Sequence, residues 1–161
     1  MALMLEVQVA SRERDLPAPA ALRTWAAAAL DGCRERAELV IRLVDEAESR
    51  RLNREYRHRD HPTNVLSFNV ELPPAVESDL LGDLVICAPV VRREAVDQGK
   101  PLPAHWAHMV VHGVLHLLGR DHQAPREAQA MEAEEREILA GLGFADPYRE
   151  EGGGAPGGGD D

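Results

Sequence analysis

Three histidines stand close together in the segment HGVLHLLGRDH, residues 112–122. His112 and His116 are four residues apart, so in an α-helix their imidazoles lie on one face, a turn apart. Gly119 can adopt the left-handed conformation that ends a helix, and the chain can then bring His122 back towards the first two. Three nitrogen ligands with a fourth position open to water are typical of catalytic zinc sites. The spacing predicts one Zn²⁺ per chain, bound by His112, His116 and His122.

Two further histidines on the same predicted helix offer another interpretation. His105 and His108 have the character of hydrogen-bonded core residues, but His108 also lies four residues before His112 and competes with it as a ligand. Positions 108, 112 and 116 span about 12 Å at 1.5 Å per residue, whereas zinc–nitrogen bonds are about 2.1 Å long. One ion can therefore hold only two of these three histidines, and the continuation to His122 favours the pair His112 and His116.

The same ligand spacing, H-x-x-x-H-x-x-G-x-x-H, occurs in the metzincin proteases. Those enzymes place a glutamate directly after the first histidine as the general base for attack by water. Here that position is Gly113, which cannot accept a proton. The motif therefore predicts the ligands of a metal site without the general base of a peptidase.

The pattern of apolar residues predicts the elements that position these histidines. Strands are expected at 2–9, 37–45 and 80–89, and the segment 61–72 is expected to run from a turn into a further strand. Helices are expected at 17–33, 45–57, 90–99, 103–119 and 125–143. Four short strands among five helices indicate an α+β fold, in which a zincin-like histidine helix packs on a small mixed sheet. We expect a single domain over residues 1–150 and a disordered, glycine-rich tail over 151–161.

Composition and charge narrow the class of protein. The 161 residues are 44% hydrophobic and 29% charged, which is typical of a globular protein. No apolar run reaches the roughly 18 residues that a membrane span needs, so we expect no membrane partner. The N-terminus alternates like a strand and lacks the features of a signal peptide. Because Cys33 and Cys87 are the only cysteines, a cytoplasmic protein without disulfide bonds is expected.

The charge is unevenly distributed along the chain. The formal net charge of −10 argues against long-range, non-specific capture of nucleic acid. Residues 50–59, in contrast, carry five arginines against the single acid Glu55, which would suit a local basic groove. A solvated helix face is the alternative interpretation of this run.

Three segments resemble the YbeY family of bacterial endoribonucleases. The segment HMVVHGVLHLLGRDH (108–122) is similar to the family signature H-G-x-L-H-L-x-G-x-D-H. Two other segments, LNREYRHRDHPTNVLSF (52–68) and LLGDLVICAPVV (80–91), resemble further motifs of the family, and the likeness runs from about residue 40 to Tyr148. Asn64, where the family often has aspartate, and the glycine-rich tail are the visible departures.

The resemblance implies a zinc-dependent endoribonuclease that is specific for single-stranded RNA and acts in ribosomal RNA maturation, notably at the 16S 3′ end, and in ribosome quality control. It implies rRNA and the ribosome or its proteins as partners. The metal-binding histidines of the family correspond to His112, His116 and His122, and its functionally important arginine corresponds to Arg57.

The chemistry of the residues agrees with this implication. Phosphodiester cleavage increases the charge on the non-bridging oxygens, and the fork of a guanidinium matches their geometry. Arg57 is the candidate for that role, and Arg54 and Arg59 are candidates for holding the flanking phosphates. Two alternatives are a metallohydrolase of another substrate class, such as peptides, and a non-catalytic, zinc-stabilised module that binds the ribosome. The absence of a fourth Cys or His ligand at close spacing argues against the second.

Overall fold

The computed structural model describes residues 1–73, 75–121 and 123–149. In chain order the elements are β1 (Ala2–Val9), α1 (Pro19–Leu30), β2 (Arg36–Val44), α2 (Glu46–Arg57), β3 (Val65–Asn69), β4 (Leu80–Cys87), α3 (Ala88–Asp97), α4 (Leu102–Leu117) and α5 (Pro125–Gly141). The predicted α+β class and the four-stranded sheet are confirmed. β3 is only five residues long, because the turn before it and residues 70–72 after it belong to no strand. The tail at 151–161 lies outside the described residues.

The four strands form one mixed sheet in the order β1-β2-β4-β3. Strands β1, β2 and β4 are parallel, and β3 runs antiparallel to β4. β4 is hydrogen-bonded on both sides, as its nearly continuous apolar sequence predicts. β3 is an edge strand, with β1 at the other edge of the sheet.

Both faces of the sheet are covered, and each has its own apolar core. Ile41 and Leu84 point to the larger core, which the apolar residues of α1 and α4 complete. Val85 and Cys87 point to the opposite face, where Leu52 of α2 packs against a smaller cluster. This alternation follows from the period of two in a strand, and it places the histidine helix and the arginine helix on opposite faces of the sheet.

Helix α4 lies very close to the sheet, and Gly113 is the reason. A Cβ atom at this position would stand 2.7 Å from Cδ2 of Leu84 and 3.2 Å from Cγ2 of Val65. The edge strand also holds the helix by hydrogen bonds. Ser67 Oγ donates to the carbonyl of Gly113 at 3.2 Å, and Asn69 Nδ2 donates to the carbonyl of Leu117 at 2.9 Å. The histidines are thus carried by a rigid element.

The end of α4 agrees with the prediction made from Gly119. This residue has a φ of +96°, in the region that glycine adopts without strain. Its amide donates to the carbonyl of His116 at 2.9 Å, which closes the last turn. Among the described residues, no helix combines the length and the apolar character that crossing a membrane would require.

Candidate active site

The centre of the candidate site is the pair of histidines on α4. The rings of His112 and His116 have centroids 4.7 Å apart and are inclined by 72° to each other. This placement agrees with the predicted pairing of the two residues on one helix face. His122, the third predicted ligand, lies outside the described residues. The set His112, His116 and His122 therefore stays a prediction.

A second group of donor atoms reaches the same histidine from the other side. His108 and His112 on α4 and Glu135 on α5 each offer an atom, and these atoms lie within 4.8 Å of one another. Imidazole nitrogens and a carboxylate oxygen are ligands that bind zinc and other transition metals. The described residues thus contain a group that could hold a metal ion. It shares only His112 with the predicted ligand set.

Glu135 is the buried centre of this group, with its side chain only 1% exposed. His108 Nε2 lies 2.5 Å from Oε2, and Tyr148 donates its hydroxyl to Oε1 at 2.9 Å. His112 Nδ1 lies 3.4 Å from Oε1. Burial alone would raise the pKa of Glu135, but the contacts with His108 and His112 outweigh it and lower the pKa to about 2. The carboxylate is therefore ionised inside the protein.

For His108, in contrast to Glu135, the effect of burial on the pKa outweighs the effect of the hydrogen-bond partner. Desolvation lowers the pKa of this imidazole, although Glu135 opposes the shift. A neutral ring donates Nε2–H to Glu135 and leaves Nδ1 unprotonated. That Nδ1 is buried and finds no hydrogen-bond partner among the described residues. The expectation that His105 and His108 are buried, hydrogen-bonded residues is confirmed.

The sequence interpretation did not assign Glu135 or Tyr148 to the site. A signal for Glu135 is nevertheless present in helix α5. It occupies an inward position in the same apolar period as Met131 and Ile138, where a charged residue is unusual. A glutamate in that position requires buried partners, and His108 and His112 supply them. Tyr148 follows the helix and carries no comparable signal.

A separate polar chain lies one turn before His108. His105 Nε2 lies 2.9 Å from Glu94 Oε1, and Asn64 Nδ2 donates to the two oxygens of Glu94 at 3.1 and 3.3 Å. Burial raises the pKa of Glu94, but these hydrogen bonds lower it below its ordinary value. Asn64 Oδ1 also accepts from the amide of Val65 at 2.7 Å. The side chain at position 64 must therefore both donate and accept a hydrogen bond. The amide of Asn64 does both, whereas an ionised aspartate can only accept.

We predict that Asn64→Asp destabilises the protein at neutral pH. The new carboxylate would face Glu94 in a buried position, and the donor to Glu94 would be lost, at a cost of about 1–3 kcal/mol. Repulsion would raise the folded-state pKa of the new group, so the deficit should shrink as the pH falls. Urea unfolding at pH 7 and pH 5 measures this. Gln129→Glu, which adds the same charge at an exposed position of α5, is the control; an equal loss in both variants would contradict the prediction.

The predicted substrate arginines lie on α2 and in the loop that follows it. Arg57 Nη2 donates to the carbonyl of Ser67 at 2.9 Å, and its guanidinium carbon lies 5.7 Å from the centre of the Phe68 ring. Ser67 also bonds to Gly113, next to His112, so Arg57 is linked to the histidine helix through one residue of β3. The Phe68 ring beneath its guanidinium packs on the opposite face of the sheet. Arg54 and Arg59 are exposed near the end of the same helix.

Not every arginine of the run is available to a ligand. Arg50 binds Asp60 through two nitrogens, at 2.8 and 3.0 Å. Arg54 has a longer ion pair of 3.8 Å with the same carboxylate. Arg57 is therefore tied to β3, whereas Arg54 pairs with Asp60 on the surface of α2.

Comparisons with known proteins show the family of the chain. A family model described as Endoribonuclease YbeY matches residues 8–143. A relative from Alkalilimnicola ehrlichii, named Endoribonuclease YbeY, is 63% identical over 153 residues and covers 92% of each chain. The chain belongs to the YbeY endoribonuclease family. The match to the YbeY family includes α2, α4 and α5, and therefore Arg57, all three predicted histidines and Glu135. Tyr148 lies just beyond it.

The fold is also similar to a solved structure. The solution structure of TM1509 from Thermotoga maritima has a TM-score of 0.55 and 21% sequence identity. The match covers 91% of this chain and 100% of that protein. At this identity the likeness concerns the fold alone.

Proposed function

We propose that this member of the YbeY family is a zinc-dependent endoribonuclease that cleaves single-stranded RNA. His112, His116 and His122 are proposed to hold one Zn²⁺ per chain. Arg57 is proposed to contact the phosphate that is cleaved, and Arg54 and Arg59 to hold the neighbouring phosphates. Family membership and the geometry of α2 and α4 support this assignment.

The observation that carries the proposal is the position of Arg57. Its guanidinium is fixed on Ser67 and Phe68 of the edge strand, and Ser67 is hydrogen-bonded to the histidine helix. Arg57 is thus a fixed cation on an edge strand, and we propose that a phosphate bound at the histidines reaches it around that edge of the sheet. Guanidinium groups bind phosphate oxygens with two parallel hydrogen bonds, which adds both affinity and orientation.

The donor set fits zinc chemically. His112 and His116 present two imidazoles from one helix face, and imidazole is a preferred zinc ligand. When bound, zinc would polarise a phosphoryl oxygen and favour attack at phosphorus. The protein would contribute the fixed positions of the histidines and the charge of Arg57, which stabilises the negative charge that develops on the non-bridging oxygens.

The structure gives a further reason to disfavour a peptidase of the metzincin kind. Position 113, where those enzymes carry the general base, points at Leu84 and Val65 in the core. A glutamate there would collide with the sheet before it could reach a substrate. The ligand spacing is shared, but the position of the base is used for close packing of the helix.

We further propose that the substrate is ribosomal RNA, with maturation of the 16S 3′ end and ribosome quality control as the tasks of this cytoplasmic protein. The support is the resemblance of its motifs to the YbeY family and the cluster of arginines on α2. The ribosome, or a ribosomal protein, is the proposed partner. A comparison of the rate of RNA cleavage in purified pre-ribosomal particles with the rate in free rRNA tests this part of the proposal.

Arg54→Ala should weaken binding of single-stranded RNA without changing the rate at saturation. Each phosphate contact contributes about 0.7 to the slope of log affinity against log salt for single strands, so the slope should fall by about that amount. Arg50→Ala is the matched control, because Arg50 is already tied to Asp60. Fluorescence anisotropy from 50 to 200 mM salt measures the affinity of both variants for RNA. Equal slopes of log affinity against log salt for wild type and Arg54→Ala would exclude the phosphate contact.

Substrate class is tested with three labelled substrates of similar length. We expect the zinc-loaded protein to cleave a single-stranded RNA, to spare the same sequence in a duplex, and to leave a peptide intact. Cleavage of the peptide but of neither RNA would contradict the proposed function.

A further inference from the structure

We propose that Glu135 is a positioning residue, which holds His112 by its Nδ1 atom and thereby presents Nε2 to the metal. This inference rests on the metal-dependent function proposed above. It assigns a role to a carboxylate that the predicted ligand set leaves out.

The first support is the position of Glu135 behind His112. Its carboxylate oxygen lies 3.4 Å from His112 Nδ1, a long hydrogen bond. The two nitrogens of an imidazole point to opposite sides of the ring, so the nitrogen that faces Glu135 cannot also face His116. Nδ1 is thereby assigned to the carboxylate, and Nε2 is the nitrogen that binds the ion. Histidine ligands commonly donate their second N–H to a carboxylate in this manner.

The second support is that Glu135 is itself fixed. Tyr148 donates to Oε1 at 2.9 Å, and His108 binds Oε2 at 2.5 Å. Because the side chain is almost fully buried, water does not compete for these bonds. The carboxylate therefore has one orientation, and it transmits that orientation to His112.

The distances also argue against Glu135 and His108 as joint ligands of one ion. Two atoms that each lie about 2.1 Å from zinc at the tetrahedral angle are about 3.4 Å apart. His108 Nε2 and Glu135 Oε2 are separated by only 2.5 Å, which is a hydrogen-bond distance. His108 thus acts as a donor that holds the carboxylate. The group of His108, His112 and Glu135 is then the support of the predicted zinc site.

The test is the affinity for zinc itself, measured by competition with a chromogenic chelator. Glu135→Gln keeps the shape of the side chain but removes the charge behind His112, and we expect zinc affinity to fall about 10- to 100-fold at unchanged stoichiometry. Glu134→Gln is the matched control, because this neighbour faces Arg120 at 3.0 Å on the surface. It should leave the affinity unchanged.

Two spectroscopic measurements complete the test. In Co²⁺-loaded protein, Glu135→Gln should keep the visible absorption of wild type, since no ligand is lost. In zinc-loaded wild type, which needs no variant to fold, imidazole ¹⁵N shifts should show His112 protonated at Nδ1 and metal-bound at Nε2.

The outcomes separate this proposal from the function on which it rests. Wild-type affinity in Glu135→Gln, loss of a ligand in its Co²⁺ spectrum, or metal on Nδ1 of His112 would each overturn the positioning role while leaving zinc dependence intact. A wild-type protein that binds no zinc would overturn both.

Discussion

His112→Ala is expected to contain no zinc and to lose all detectable cleavage of single-stranded RNA. His112 belongs to the predicted ligand pair and also contacts the buried carboxylate of Glu135. No neighbouring side chain is expected to replace it as a ligand. The protein should still fold, because His112 is partly exposed and its neighbours on α4 supply the apolar contacts. Metal analysis by mass spectrometry and a melting curve measure the two effects.

His108→Ala is the matched control on the same helix. His108 binds Glu135 and lies on the buried side, so its removal should lower zinc affinity but keep one ion per chain under excess zinc. One zinc per chain in His112→Ala would contradict both candidate groups, because they share His112. No zinc in His108→Ala would contradict the predicted ligands and favour the buried group as the metal site.

Arg57→Ala is expected to lower the turnover of single-stranded RNA by about 10²–10³, the usual cost of removing one preorganised donor to a transition state. Zinc content should be unchanged, because Arg57 contacts Ser67 and Phe68, and neither is a predicted ligand. The loss of one exposed hydrogen bond should lower the free energy of unfolding by less than about 1.5 kcal/mol. Rates at saturating RNA separate this effect from weaker binding.

Arg57→Lys provides the comparison that identifies the mechanism. Lysine keeps the positive charge but loses the bidentate fork, so it should recover only part of the lost rate. Full activity in Arg57→Ala would show that the edge strand does not position a catalytic cation. Equal rates for the two variants would show that charge at this position is without effect.

The local parts of the structure were predictable because their signals lie within a few residues. The strand and helix periods predict each element, and Gly119 predicts the end of α4. The four-residue spacing of His112 and His116 likewise places both on one helix face, which the structure shows. In each case the backbone geometry of one element carries the inference.

The surroundings of the site were not predictable, because they depend on contacts between distant segments. His108 meets Glu135 across 27 residues of sequence, and only the packing of α5 on α4 brings them together. The sequence alone shows that Gly113 cannot act as a base. Why this position is glycine becomes clear only from its close contact with the side chains of Leu84 and Val65 in the sheet. The role of Asn64 likewise became visible only with Glu94 beside it.

The central claim is that a bound metal ion is required for cleavage of RNA. The most direct test strips the purified protein with a chelator, removes the chelator, and follows cleavage of a labelled single-stranded RNA while zinc is returned in steps. We predict no cleavage by the metal-free protein and full recovery at one Zn²⁺ per chain. Undiminished cleavage by the metal-free protein, or no recovery after zinc is bound again, would contradict this account.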